Sequence, residues 1–137
     1  METHTSRYLK SISVIKSYDV PAIKHAREII EKNITDHWSL EILAAKVGIN
    51  NFKLKVGFKQ LYNDTPYQFL IKLRLEKASR LLLDTDLSIK EVADRIGFDS
   101  YRGFSKAFKN NYGVLPTMYR KTRERYCHRY LEFASIL

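Results

Sequence analysis

The chain repeats itself, and that repeat limits its fold more than any other feature. VADRIGF at residues 92–98 answers LAAKVGI at 43–49, an offset of 49 that pairs Ala44 with Ala93, Gly48 with Gly97 and, upstream, Ser39 with Ser88. Downstream the offset becomes 50: Leu54 pairs with Phe104, Phe58-Lys59 with Phe108-Lys109, Pro66 with Pro116 and Phe69 with Tyr119. One residue has been inserted in the turn just after the heptad. Two copies of a single supersecondary unit are therefore expected in the 137 residues.

Within each copy, apolar residues recur at helical spacing up to the glycine, at Leu40, Leu43, Ala44 and Val47 and again at Ile89, Val92, Ala93 and Ile96. Gly48 and Gly97 stand where such a helix must stop and the chain must turn, a left-handed position that favours a residue without Cβ. A small alanine in the first helix lets the backbone of a second approach closely. The pattern, followed by a second amphipathic segment, predicts a helix-turn-helix in each copy.

The second helices are expected at about 51–61 (NFKLKVGFKQL) and 100–110 (SYRGFSKAFKN), capped by Asn50 and by Asp99 or Ser100. Their apolar faces would comprise Phe52 or Leu54 with Phe58 and Leu61, and Tyr101, Phe104 and Phe108. SIKE at 88–91 and TPYQ at 65–68 are capping boxes, the latter with Pro66 at the first helical position. Asn63 takes the place that Gly113 holds in the second copy, and both residue types tolerate a left-handed turn.

The expected class is all-α: two helix-turn-helix modules, at residues 19–64 and 85–120, joined by a long helix within 65–84. Leu70, Leu73, Ala78, Leu81 and Leu82 are available for burial along that linker. About 18 residues at 1.5 Å each give it a length of about 27 Å. A further amphipathic helix opens at Pro21, residues 1–18 read as loosely ordered although SISVI would suit a short strand, and 121–137 form a helical tail. In that tail Tyr126, Tyr130, Phe133 and Leu137 make one apolar stripe, which suits either packing back onto the domain or self-association.

Composition narrows the function. Twenty-four Lys and Arg against 15 Asp and Glu leave a net charge of +9, which favours a polyanionic partner through release of its condensed counterions. Charge alone does not separate DNA from RNA or acidic lipid. A lone cysteine, Cys127, cannot form an internal disulfide, no Cys/His grouping has zinc spacing, and no Gly-rich phosphate loop is present, so neither metal nor other cofactor is expected. His25, His37 and His128 are scattered, and Asp84 and Asp86 are accounted for by helix termination, so no catalysis is expected. No run is long and apolar enough for a signal peptide or a membrane span, which makes the cytoplasm the expected location.

SIKEVADRIGF followed by FSKAFKNNYGVLPTMYR resembles, in letters and spacing, the signature of the C-terminal DNA-binding domain of the AraC-type transcription regulators, and the resemblance runs from about Pro21 to Arg120. It implies seven helices, with two helix-turn-helix units reading adjacent major-groove segments of double-stranded DNA in bacterial transcription control, typically as an activator, with RNA polymerase as a candidate partner. KLKVGFKQLY is similar to regulators of siderophore and iron-uptake genes. Relatives usually carry an effector or dimerisation domain ahead of this region, so a short stand-alone regulator and a fragment lacking that domain are both compatible with the sequence.

The candidate DNA-binding residues are Asn51, Lys53, Lys55, Val56 and Lys59 in the first copy and Ser100, Tyr101, Arg102, Ser105, Lys106 and Lys109 in the second. Arg102 is the best base reader, since a guanidinium bonds guanine O6 and N7 together. Val56 stands where many relatives carry a basic or polar reader, which turns the first helix toward thymine methyls or phosphates; Gly57 beside it should weaken the helix by up to about 1 kcal/mol. Asn51 has a competing reading as a cap and Tyr101 as a core aromatic. Two rivals of other classes stand beside DNA binding: an RNA-binding accessory protein, and a helical protein-interaction module using the tail.

Overall fold

The computed structural model describes residues 15–123, and all regular structure among them is helical. A 3-10 turn at Ser17–Asp19 leads into α1 (Val20–Lys32), followed by α2 (Leu40–Val47), α3 (Asn51–Tyr62), α4 (Pro66–Asp84), α5 (Ile89–Arg95) and α6 (Tyr101–Tyr112). A seventh helix, α7, begins at Pro116 and is described to residue 123. The chain divides into two compact units, and the division falls inside α4, between Ile71 and Lys72. The apolar stripe from Tyr126 to Leu137 lies outside the described residues, as does the SISVI segment except for Ile15, which is not in a strand.

In the first unit, α1 packs on α2 and α3, and α2 packs on α3. Ile23, Ala26, Ile30, Leu43, Ala44, Leu54, Phe58 and Leu70 form its core, each almost wholly withdrawn from water. The turn between α2 and α3 follows the sequence: Gly48 adopts φ 78°, and its N–H donates to Ala44 O at 2.9 Å. Asn50 Oδ1 then accepts the Lys53 N–H at 2.8 Å and opens α3. At the other end Asn63 takes the left-handed conformation, φ 62°. Thr65 and Gln68 close their reciprocal capping box at 3.2 and 3.0 Å, starting α4.

Of the alternatives Phe52 and Leu54 for the apolar face of α3, Leu54 is the buried one, and Leu61, also expected there, lies outside the core. Phe52 is 52% exposed because Leu54, Gly57 and Phe58, at helical spacing, define the buried side and place residue 52 on the opposite one. Leu61 is 42% exposed because it lies in the last turn, where Tyr62 packs inward, 4.8 Å from the Phe58 ring and beneath the Arg27 guanidinium at 4.6 Å.

Gly57 is the other departure. A Cβ built there would collide with Ile23 Cδ1 and lie 3.3 Å from Ile23 Cγ1 and 3.4 Å from Ile15 Cδ1. Its lost helix propensity is thus exchanged for the close approach of α1 to α3.

The second unit repeats the scheme with its own residues. Ser88 and Glu91 form their capping box at 3.1 and 2.8 Å, and Ser100 rather than Asp99 caps α6, its Oγ accepting the Gly103 N–H at 3.0 Å. Leu75, Ala78, Leu82, Val92, Ala93, Ile96, Phe104 and Phe108 are buried together with Pro116. Phe108 meets the Tyr119 ring edge-on at 5.2 Å. Carbonyls late in α4 receive donors from the following helices: Tyr112 Oη reaches Leu75 O at 3.4 Å, and Arg120 Nε reaches Leu82 O at 3.1 Å. Tyr101, expected on the apolar face of α6, is 48% exposed because it occupies the first turn, ahead of the core formed by Phe104 and Phe108.

Candidate nucleic-acid interface

Helices α3 and α6 are twins in construction. Each has 12 residues, begins one residue after a side-chain cap, and ends on a left-handed residue, Asn63 or Gly113. Neither contains a carboxylate, and each carries three basic side chains: Lys53, Lys55 and Lys59 in α3, and Arg102, Lys106 and Lys109 in α6. Neither helix therefore offsets its own basic side chains, and the positive end of each helix dipole adds to the field.

Burial sorts the candidate residues. With Leu54 and Phe58 wholly buried, Asn51, Lys55 and Lys59 are left exposed on α3, and Val56 is half-buried. With Phe104 and Phe108 wholly buried, Tyr101, Arg102, Lys106 and Lys109 are exposed on α6. Asn50 supplies the cap, which leaves the Asn51 side chain outside that role. Three candidates are not free on the exposed face. The Ser100 hydroxyl accepts the Gly103 N–H, Ser105 Oγ is buried and meets no hydrogen-bond partner among the described residues, and Lys53 Nζ pairs with Asp19.

Lys53 reaches both carboxylate oxygens of Asp19, at 3.1 and 3.4 Å, and its ammonium lies 5.4 Å from the centre of the Tyr18 ring. Asp19 Oδ2 also accepts the Lys16 backbone N–H at 3.0 Å. That backbone bond is the foremost cause holding the Asp19 carboxyl below its ordinary value of 3.8; burial opposes the shift, and Lys53 adds to it.

Phe52 was not among the candidates, and the structure puts it on the exposed face of α3. The sequence did hold a sign of it: at the downstream offset of 50, Phe52 falls on Arg102, and both are the second residue of their helix. An apolar letter beside core positions hid it. Among the described residues, no helix is long and apolar enough to cross a membrane, and no group of His, Cys, Asp and Glu is arranged to hold a metal ion.

Comparison with known proteins agrees with this architecture. A family model described as "Helix-turn-helix domain" matches residues 43–122. The regulator MtrA of Neisseria gonorrhoeae is 32% identical over 108 residues, which cover 79% of this chain and 36% of MtrA. The chain spans about a third of the length of curated relatives such as MtrA. Among solved structures, the DNA-binding domain of the global transcriptional factor AdpA, in complex with a target DNA, is 30% identical with a TM-score of 0.71, the match covering 75% of this chain and 94% of that one. An AraC-type DNA-binding-domain protein from Chromobacterium violaceum is also 30% identical, with a TM-score of 0.69 and coverage of 79% and 96%. On its duplicated helix-turn-helix, its capped basic helices and these matches, the chain belongs to the AraC-type helix-turn-helix family.

Proposed function

We propose that the chain binds double-stranded DNA sequence-specifically to regulate transcription in the bacterial cytoplasm, with α3 and α6 each reading one segment of major groove and no chemistry performed on the DNA. The observation that carries this reading is the pair of matched, acid-free helices whose cores are fixed by Leu54 and Phe58 or by Phe104 and Phe108, leaving the basic faces outward. In α6, Arg102 addresses a guanine edge, flanked by Tyr101 and Lys106. In α3, Phe52 and Val56 suit thymine methyls, and Asn51 and Lys55 suit base edges or flanking phosphates. Lys59 and Lys109, two turns further along, suit phosphates and fix register rather than sequence. RNA polymerase is the partner that activation would require.

A selection of bound sequences from a random duplex pool, followed by competition with structured RNA and single strands, tests the reading. One enriched duplex motif that neither competitor displaces is expected. Neutralising about 6 phosphates should give a log–log salt slope of about −5. Equal competition by RNA, or a slope shallower than about −2, would overturn it.

A further inference from the structure

Lys53 lies in the first turn of α3, where the helix dipole disfavours a cation and where DNA phosphates would attract one. It does not extend outward as Lys55 and Lys59 do. Its side chain is 22% exposed and reaches back to the Asp19 carboxylate, whose own side chain is 4% exposed. Asp19 is in turn fixed by the Lys16 N–H within the 3-10 turn that precedes α1. Ile15, on the same segment, faces Gly57 one turn further along α3. Residues 15–19 thus brace the recognition helix at two points, one apolar and one ionic. Moving Lys53 to a phosphate would leave the Asp19 carboxylate, almost wholly withdrawn from water, with the Lys16 N–H but no counter-charge, a loss that opposes the gain from one exposed phosphate contact.

We infer that Asp19 is a positioning residue that withholds the Lys53 ammonium from the DNA backbone, so that the first recognition helix engages DNA with two of its three lysines. This rests on the DNA-binding reading and deepens it. A cation in the first turn of a recognition helix would attract every duplex alike; tied to Asp19, Lys53 fixes the placement of α3 without adding sequence-independent affinity.

The test is the salt dependence of binding to a random duplex, measured for the full chain. Asp19→Asn keeps an acceptor for the Lys16 N–H and removes the charge. It should bind random duplex more tightly than wild type, with a log–log slope steeper by about 0.9, so that its advantage shrinks about 3.5-fold between 0.05 and 0.2 M salt. Lys53→Met, which keeps the apolar stem, should leave the wild-type slope unchanged, and the double variant Asp19→Asn/Lys53→Met should return to it. The slope separates this role from a merely structural one, which would change melting but not counterion release. If Lys53→Met alone makes the slope shallower by about 0.9, Lys53 contacts phosphate in the wild type and the inference fails. It fails equally if folded Asp19→Asn keeps the wild-type slope. Should Asp19→Asn not fold, Lys53→Met by itself decides the matter. A wild-type chain that binds no duplex would instead overturn the underlying reading, an outcome separate from any difference between variants.

Discussion

Gly57→Ala sets two known effects against each other. On an open helix surface the change would stabilise α3 by about 1 kcal/mol, because alanine loses less backbone entropy than glycine. Here the new methyl would overlap Ile23 Cδ1, and Ile23 is wholly buried in the core of the first unit, with Ile15 Cδ1 also in contact at 3.4 Å. Accommodating it needs an off-rotamer Ile23 or a shift of α1, and overpacking of this kind costs about 1–3 kcal/mol. The balance is a net loss of about 0–2 kcal/mol, or several degrees in melting temperature for a unit of this size. Trp38, the single tryptophan, lies in the same unit, so urea unfolding followed by its fluorescence reports the relevant transition. The double variant Gly57→Ala/Ile23→Val makes the argument specific, since removing Ile23 Cδ1 vacates the space the alanine methyl needs. Ile23→Val alone should cost about 0.5–1.5 kcal/mol, and the pair together less than the sum of the two single changes. A Gly57→Ala protein about 1 kcal/mol more stable than wild type, or strictly additive energies in the cycle, would refute the close approach of α1 to α3.

Arg102→Ala should weaken the preferred duplex by about 1–3 kcal/mol and relax choice at one base pair, whereas Lys109→Ala should weaken all duplexes alike, as titrations against preferred and random sites would show. Phe52→Ala should leave the urea midpoint nearly unchanged and reduce affinity for the selected site, while Leu54→Ala, two residues on and wholly buried, should cost about 2–5 kcal/mol of stability. Because the folded-state pKa of Asp19 lies below its ordinary 3.8, the carboxylate contributes stability that is fully present above the unfolded value and is lost as pH falls through the folded one. The melting advantage of wild type over Asp19→Asn should therefore be constant above about pH 5 and shrink below about pH 4; an advantage unchanged at pH 3 would contradict that direction.

The skeleton of the fold was legible because its constraints are local and periodic. Asn50, Thr65, Ser88 and Ser100 cap helices through bonds to backbone groups three residues on. A motif confined to four consecutive letters survives in any tertiary setting. Gly48, Asn63 and Gly113 adopt positive φ where the two copies, laid over each other, required a turn. The buried positions Ala44, Leu54 and Phe58 recur as Ala93, Phe104 and Phe108 because each module must bury the same face. What escaped the sequence depends on partners distant along the chain. Nothing near Gly57 announces that Ile23, 34 positions earlier, will occupy its Cβ space, so a glycine in a helix looked like a simple loss of propensity. Nothing near Lys53 announces Asp19, so three lysines in a basic helix looked equivalent.

The two copies keep an exposed lysine in common, Lys59 and Lys109, but diverge at three positions nearer the helix starts. Phe52 and Arg102 occupy one helical position, Val56 and Lys106 another, and Asn51 and Tyr101 a third, and no pair is alike in chemistry although the cores beneath match. A repeat kept only for packing would place no demand on these surface letters, and a repeat kept to bind one motif twice would make them alike. On the proposed reading, matched cores with mismatched faces suit two modules that meet different base steps, the first weighted toward methyl contacts by Phe52 and Val56, the second toward hydrogen bonds by Arg102. If the two faces read in this way, the selected duplex motif should be asymmetric, because the two faces of the single polypeptide are unlike, and a palindromic motif would contradict the assignment.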